Sequence, residues 1–337
     1  MLMIPDSAAL PQTQNWKDSL STAFRSVDEF LKFCEVDAQI SAYPAGTRFP
    51  FRVTRYYASL IEKGNALDPL LLQVLPDAQE QDKVNGYSTD AVGDQQAMVA
   101  PGLIHKYHGR VLLTLTSACA IHCRYCFRQH YPYSDNITDI GAQGSVMQYL
   151  SANTDISEVI LSGGDPLMLS DAKLAQLIGN LNHAPHIRLL RIHSRLLSVL
   201  PERINTSFMS ALKQFRGNVV FVTHINHARE ISERNSRVFR HLTQAGYRIF
   251  NQSVLLARIN DSVDVLAQLS YRLFEHNIIP YYLHRLDKVQ GAAHFDVSAQ
   301  ESCRLYTRLR NRLPGYLLPR MVEEIAGKGS KTAVHCD

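Results

Sequence analysis

Six short runs rich in β-branched and aromatic residues recur along the sequence: VLLTLT from Val111, EVILSG from Glu158, IRLLRIH from Ile187, NVVFVTH from Asn218, RIFNQSV from Arg248 and IIPYYLH from Ile278. After the first they fall about thirty residues apart, roughly one strand plus one crossover helix in a parallel sheet. The intervals carry helical patterns. These are DAKLAQLIGNL, PERINTSFMSALKQF with Pro201 placed for a first helical position, SERNSRVFRHLTQAG with Gly246 placed just past a helix end, and SVDVLAQLSYRLFEH. The alternation predicts six βα units of an α/β fold, closed as a barrel or doubly wound.

Residues 15–85 read differently. Helical stretches such as DEFLKFCEV and ASLIEKG are broken by YPAGTRFPF and DPLLLQVLPDAQ, where Pro and Gly interrupt any long helix. A polar connection, YSTDAVGDQQAMVAPG, separates this leader from the repeating part. The expected division is a mostly helical region over 1–95, a core over 96–300 and a carboxyl-terminal segment over 301–337. At 337 residues such a chain buries a core without disulfide staples.

Polar groups collect after every predicted strand. They are the cysteine cluster, Gly163-Gly164-Asp165, His193-Ser194-Arg195, His224 through His227, Asn251-Gln252-Ser253, and His284 through Asp287. Strand carboxyl ends are where parallel α/β folds build active sites, so an enzyme is favoured over a scaffold. The net charge of +4 lacks the strongly basic signature of a nucleic-acid binder. The start, MLMIPDSAALPQTQNWKDSL, shows no targeting pattern, and no apolar run approaches membrane-spanning length; a cytoplasmic protein with no membrane partner is expected.

Three of the six cysteines, Cys119, Cys123 and Cys126, lie within SACAIHCRYCFRQHYPY after the first strand. Cys34, Cys303 and Cys336 are scattered and read as making no disulfide framework. Soft thiolates select zinc or iron–sulfur clusters. A structural zinc closes with four ligands, and His122 or His130 makes a Cys₃His site arithmetically possible, but no second cysteine pair follows. Three thiolates suit a [4Fe–4S] cubane held at three corners, with the fourth iron open. The sequence ends in EEIAGKGSKTAVHCD, where Ser330 stands in place of the glycine a phosphate loop needs. A flexible tail and a reactive lysine both remain open on composition alone.

CxxxCxxC followed by an aromatic resembles the cluster motif of radical S-adenosylmethionine enzymes, and SGGDP resembles their glycine motif. PGLIHKYHGRVLLTLT, CAIHCRYCFRQHYPY, LSGGDPL, IRLLRIHSRL, HINHARE, NQSVLL, YYLHRLDKVQGAAHF and GKGSKT, in this order, resemble the lysine 2,3-aminomutase family within that superfamily.

The resemblance implies a partial (β/α)6 TIM-like barrel and conversion of L-lysine to (R)-β-lysine. It implies a cluster on Cys119, Cys123 and Cys126, with S-adenosylmethionine near Ser162, Gly163, Gly164, Asp165, His224 and Gln252. Lys331 would carry pyridoxal phosphate, with Arg110, Lys106 and Tyr107 beside the coenzyme. Arg128 would clamp the substrate carboxylate, and Asp287 with Glu324 would bind its distal ammonium. Glu324 departs from the family pattern, which has Asp there, and GKGSK departs from a run of glycines.

The stop six residues after Lys331 implies no structural zinc. The branch most resembled implies an external electron donor and a functional link to elongation factor P and its lysyl ligase. The alternatives are a radical enzyme without pyridoxal phosphate acting on nucleic acid, a non-catalytic zinc or iron–sulfur module, and a free-standing amino-acid mutase.

Overall fold

A computed structural model describes residues 15–37 and 49–336. Part of the Pro/Gly break expected in YPAGTRFPF lies outside the described residues, as does most of the amino-terminal stretch. Among its described residues the leader forms four short α-helices, α1 (Trp16–Ser21), α2 (Val27–Cys34), α3 (Arg55–Ala58) and α4 (Pro69–Leu72). Capping explains all four starts: Asn15, Ser26, Thr54 and Asp68 each accept a backbone N–H from the first turn. ASLIEKG is not a helix beyond Ala58, and DPLLL, read as a break, starts one because Pro69 occupies the first turn.

Ten strands then form one sheet in strict chain order. They are β1 (Met98–Ala100), β2 (Leu103–Tyr107), β3 (Arg110–Thr114), β4 (Glu158–Ser162), β5 (Leu189–Ser194), β6 (Asn218–Thr223), β7 (Arg248–Val254), β8 (Ile278–His284), β9 (Arg320–Glu323) and β10 (Thr332–Ala333). β3 through β9 run parallel; β1 and β2 fold back antiparallel on one edge and β10 on the other.

The helices after β3 are α5 (Ser145–Ala152), α6 (Asp171–Leu181), the single turn α7 (Leu196–Val199), α8 (Thr206–Leu212), α9 (Glu233–Gln244), α10 (Val263–Glu275) and α11 (Ala299–Arg312). The architecture is the expected partial barrel of six βα units, extended by a seventh parallel strand and left open between β1 and β10. Pro201 begins a separate 3₁₀ turn, and Asn205 caps α8.

Period-two alternation divides each barrel strand between two environments. Val159 and Leu161, Leu190 and Ile192, and Phe221 are buried in the apolar core. Residues one position away, including Arg191, His193, His224, Gln252, Tyr282 and His284, line the interior. The leader is continuous with the core: Phe30, Leu31, Tyr57 and Leu70 belong to the same apolar cluster as the barrel strands and their helices.

The carboxyl-terminal segment corrects one expectation. Cys303 and Cys336 are bonded as a disulfide, with their Cα atoms 5.1 Å apart. β10 turns back along β9, Val334 N–H donates to Met321 O at 3.0 Å, and this reversal brings Cys336 to α11. A separation of 33 residues gave no local signal for that pairing.

Candidate active site

The barrel interior opens into a cavity of about 720 Å³ at the carboxyl ends of the strands. Every residue for which the sequence suggests a role lines it: Lys106, Tyr107, Arg110, Cys119, Cys123, Cys126, Arg128, Ser162, Gly163, Gly164, Asp165, His224, Gln252, Asp287, Glu324 and Lys331.

The cysteine loop leaves β3 and is clasped by the leader. Arg52 Nη1 donates to Cys119 O at 2.9 Å, His122 N–H to Arg52 O at 2.9 Å, and Arg124 N–H to Gln73 O at 2.9 Å. Arg124 is fully buried and ion-paired with Glu80. The leader thus forms the outer wall of the loop. Burial pushes the Cys126 thiol up to about 11 and Cys119 well above its usual range, so thiolates here need compensating positive charge. Among the described residues no three His, Cys, Asp or Glu side chains converge on one ion.

The GGD turn after β4 grips this loop. Gly164 N–H donates to Thr116 O at 2.6 Å and Asp165 N–H to Ala118 O at 2.9 Å. Gly163 has φ +124°, and a Cβ there would lie 2.7 Å from Thr116 O. One on Gly164 would press into the Ser117 and Ala118 carbonyls. The glycines therefore serve the approach of β4 to the cysteine loop. Gly164→Ala is expected to destabilise the fold by roughly 1–3 kcal/mol, read as a lower denaturant midpoint with reduced iron uptake.

Asp165 is likewise spent within the protein. It accepts from Ser194 Oγ at 2.8 Å, Arg195 N–H at 2.8 Å and Leu167 N–H at 3.0 Å. Burial nonetheless pushes its carboxyl up to about 6.

The cavity is also lined by a charged network that the sequence only partly revealed. Arg128 donates through Nε to Asp94 Oδ2 at 2.7 Å and through Nη1 to Ser162 Oγ at 2.8 Å. Asp94, in the connection read as a polar loop, also pairs with Lys106 Nζ at 2.6 Å. Burial works against the Asp94 charge, but Arg128 and Lys106 hold its carboxyl below the usual range. Glu324 accepts from Tyr107 Oη and lies 2.8 Å from Lys331 Nζ and 3.6 Å from Lys106 Nζ. It too is held low, because Lys331 chiefly outweighs its burial. These contacts bridge β2 to the segment after β9, across the open side of the barrel. Asp287 stands near Lys331 and Glu324, and burial pushes its carboxyl up to about 7.

Three histidines face the same space as neutral rings. Burial drives His224 down to about 3, and His193 and His284 well below the ordinary range. His224 Nε2 lies 3.2 Å from Tyr125 Oη, while Nε2 of His193 and of His284 is buried without a hydrogen-bond partner. Both follow predicted strands in the sequence without a motif that assigns them a role. His227 caps the Ala228–Glu230 turn.

An open parallel α/β barrel with a three-cysteine loop at its mouth and a half-buried lysine in the same cavity defines an iron–sulfur enzyme working on a small substrate. Residues 108–188 match a family model described as a 4Fe-4S single cluster domain. L-lysine 2,3-aminomutase of Escherichia coli is 42% identical over 325 residues, 96% of this chain and 95% of that protein. The protein of the same name from Haemophilus influenzae is 40% identical, covering 98% of this chain and 99% of its own length. That from Clostridium subterminale is 32% identical, covering 95% and 77%. The chain belongs to the L-lysine 2,3-aminomutase family, whose members are isomerases of the radical S-adenosylmethionine type. Among the described residues no helix is long and apolar enough to cross a membrane.

Proposed function

We propose that the chain moves the α-amino group of L-lysine to Cβ, giving (R)-β-lysine. The carrying observation is that Lys331 and the three-cysteine loop, far apart in sequence, line one cavity together with anion- and cation-binding side chains. The residues fit the three groups this reaction requires. Cys119, Cys123 and Cys126 supply soft ligands for a [4Fe–4S] cluster. His224 and Gln252 face the space where S-adenosylmethionine would lie. Lys331 supplies an amine for pyridoxal phosphate, and Arg110, joined on the cavity wall by Arg191, supplies guanidinium for its phosphate. When bound, the cluster with S-adenosylmethionine supplies a carbon radical able to take an unactivated hydrogen, and pyridoxal phosphate supplies a π-system on the substrate nitrogen. The initiating electron comes from an external donor.

The protein's own work is positioning and exclusion. Arg128 is fixed by Asp94 and Ser162 before substrate arrives, which orients it for a substrate carboxylate. Asp287 and Glu324 suit the distal ammonium. Glu324 also gives the Lys331 amine a carboxylate partner, Oε2 at 2.8 Å, whenever that amine carries a proton. The neutral histidines keep the interior free of further charge. In this reading the described part of residues 1–95 walls the cluster loop, 96–300 generate the radical, and 301–337 carry the coenzyme.

Asp287 makes substrate affinity pH-dependent. Its carboxyl titrates at about 7 in the empty site, and only the ionised form attracts an ammonium. Affinity for L-lysine is therefore expected to fall, up to about tenfold per unit, as pH drops below about 7. Calorimetric titration should show this slope for L-lysine and not for norleucine, which lacks the distal amine. The same slope for both ligands would remove Asp287 from that role.

The conversion is tested by incubating reconstituted protein anaerobically with L-lysine, pyridoxal phosphate, S-adenosylmethionine and a reductant. β-Lysine is the expected product; none from a protein with a loaded cluster and bound coenzyme overturns the proposal. The sequence resemblance supports delivery of the product to elongation factor P through its lysyl ligase. Comparing free L-lysine with the lysylated factor as substrate tests that link, and faster turnover of free lysine is expected.

A further inference from the structure

Arg195 is a buried cation that the proposed reaction does not use. It leaves the end of β5 and reaches beneath the cysteine loop, where Nη1 donates to Cys123 Sγ and to Tyr125 Oη at 2.7 Å. Nη2 donates to Gln73 Oε1 at 2.7 Å and to Glu230 Oε2 at 3.1 Å. Its own N–H is held by Asp165 at 2.8 Å. Three segments thus fix one guanidinium against one sulfur, the leader, the cysteine loop and the turn after β6, while the GGD turn holds the Arg195 backbone. Glu230 is itself pinned through Oε1 by the N–H groups of Asn226 at 2.9 Å and His227 at 3.1 Å.

Building on the reading that the three cysteines hold a cluster, we propose that Arg195 sets the cluster's reduction potential by donating to the Cys123 thiolate, with Glu230 moderating the effect. One electron from an external one-electron reductant converts the cluster from its 2+ to its 1+ state, with no proton taken up. The added negative charge spreads onto the sulfurs, so a fixed N–H donor and cation favour the reduced form. Without Arg195 the same donor would reduce a smaller fraction of the protein. The carboxylate of Glu230, on the far side of the guanidinium, opposes part of this pull.

The test is a redox titration followed by electron paramagnetic resonance, without S-adenosylmethionine, on anaerobically reconstituted wild type, Arg195→Gln, Arg195→Lys and Glu230→Gln, each with iron and sulfide measured per chain. Arg195→Gln is expected to lower the reduced-to-oxidised ratio at a fixed poise about tenfold, a midpoint 59 mV lower for a one-electron couple. Arg195→Lys, which keeps the charge and loses the fork, should fall between. Glu230→Gln keeps the carbonyl oxygen that Asn226 and His227 need, and should shift the midpoint upward.

A fully loaded Arg195→Gln protein titrating at the wild-type midpoint, or above it, overturns the proposal. If Arg195→Gln fails to hold a cluster, Glu230→Gln decides: an upward shift supports the assignment, and an unchanged or lower midpoint overturns it. A wild-type chain that binds no four-iron cluster overturns the three-cysteine reading and this inference together, which separates that failure from the other.

Discussion

Replacing any one of Cys119, Cys123 or Cys126 with Ala is expected to abolish β-lysine formation while leaving the secondary structure intact. Changes to outer-sphere partners alone commonly cost 10–100-fold in metal affinity, so losing a direct ligand should cost more than about 100-fold in cluster retention. The rest of the protein should survive, because the loop is held by backbone bonds to Arg52, Gln73 and the GGD turn and by the Arg124–Glu80 pair. Iron analysis, the visible spectrum of the reconstituted protein and circular dichroism read the three parts of this expectation. Replacing Cys34 with Ala should leave iron content unchanged. That cysteine is buried in the leader's apolar packing, away from the cavity.

Lys331→Ala is the second large effect. With the amine gone the coenzyme has no covalent anchor, so borohydride treatment should add no coenzyme mass to the carboxyl-terminal peptide. Turnover should fall on the order of a hundredfold or more, since a loosely held reactant forfeits its orientation. Cluster content should be unaffected, because Lys331 pairs with Glu324 and lies over the Tyr282 ring rather than in the cysteine loop. Loss of iron in this variant would mean that the two halves of the cavity are not independently assembled. The substitution also leaves Glu324 with Tyr107 and Lys106 as its remaining partners, so the charged network should persist in weaker form.

The barrel was legible because its strands are runs of β-branched residues at nearly constant spacing, a pattern that survives without tertiary context. β1, β2, β9 and β10 were not. They are two to five residues long, they include polar sequences such as LIHKY and RMVE, and they exist because a sheet edge is there to pair with. α11 was missed because AQESCRLYTRLRNR is largely polar, and its buried face, carried by Ser302, Leu305 and Leu309, shows only once the segment is folded. The Cys303–Cys336 bond was missed for the same reason: proximity created by a strand reversal leaves no mark on spacing.

At the site, the cysteines and Lys331 carried their chemistry in local motifs. Asp94, His193, His284 and Arg195 carried none, and their importance is spatial. Asp94 looks like one more polar residue in a Gly-punctuated connection until Lys106 and Arg128 are placed on either side of it. The GGD turn carries a second task that its motif does not announce. Its residues, expected near S-adenosylmethionine, also hold the cysteine loop and the end of β5 in place.

The central claim is that this cavity moves the substrate's own nitrogen by one carbon. L-Lysine carrying ¹⁵N at the α-amino group and ¹³C at C3 tests it most directly, with the anaerobic reaction followed by carbon NMR. The account predicts a new one-bond ¹³C–¹⁵N coupling at C3 as the label leaves C2. A ¹⁵N that stays on C2, or that appears as free ammonium, in a protein with its cluster and coenzyme in place would contradict it.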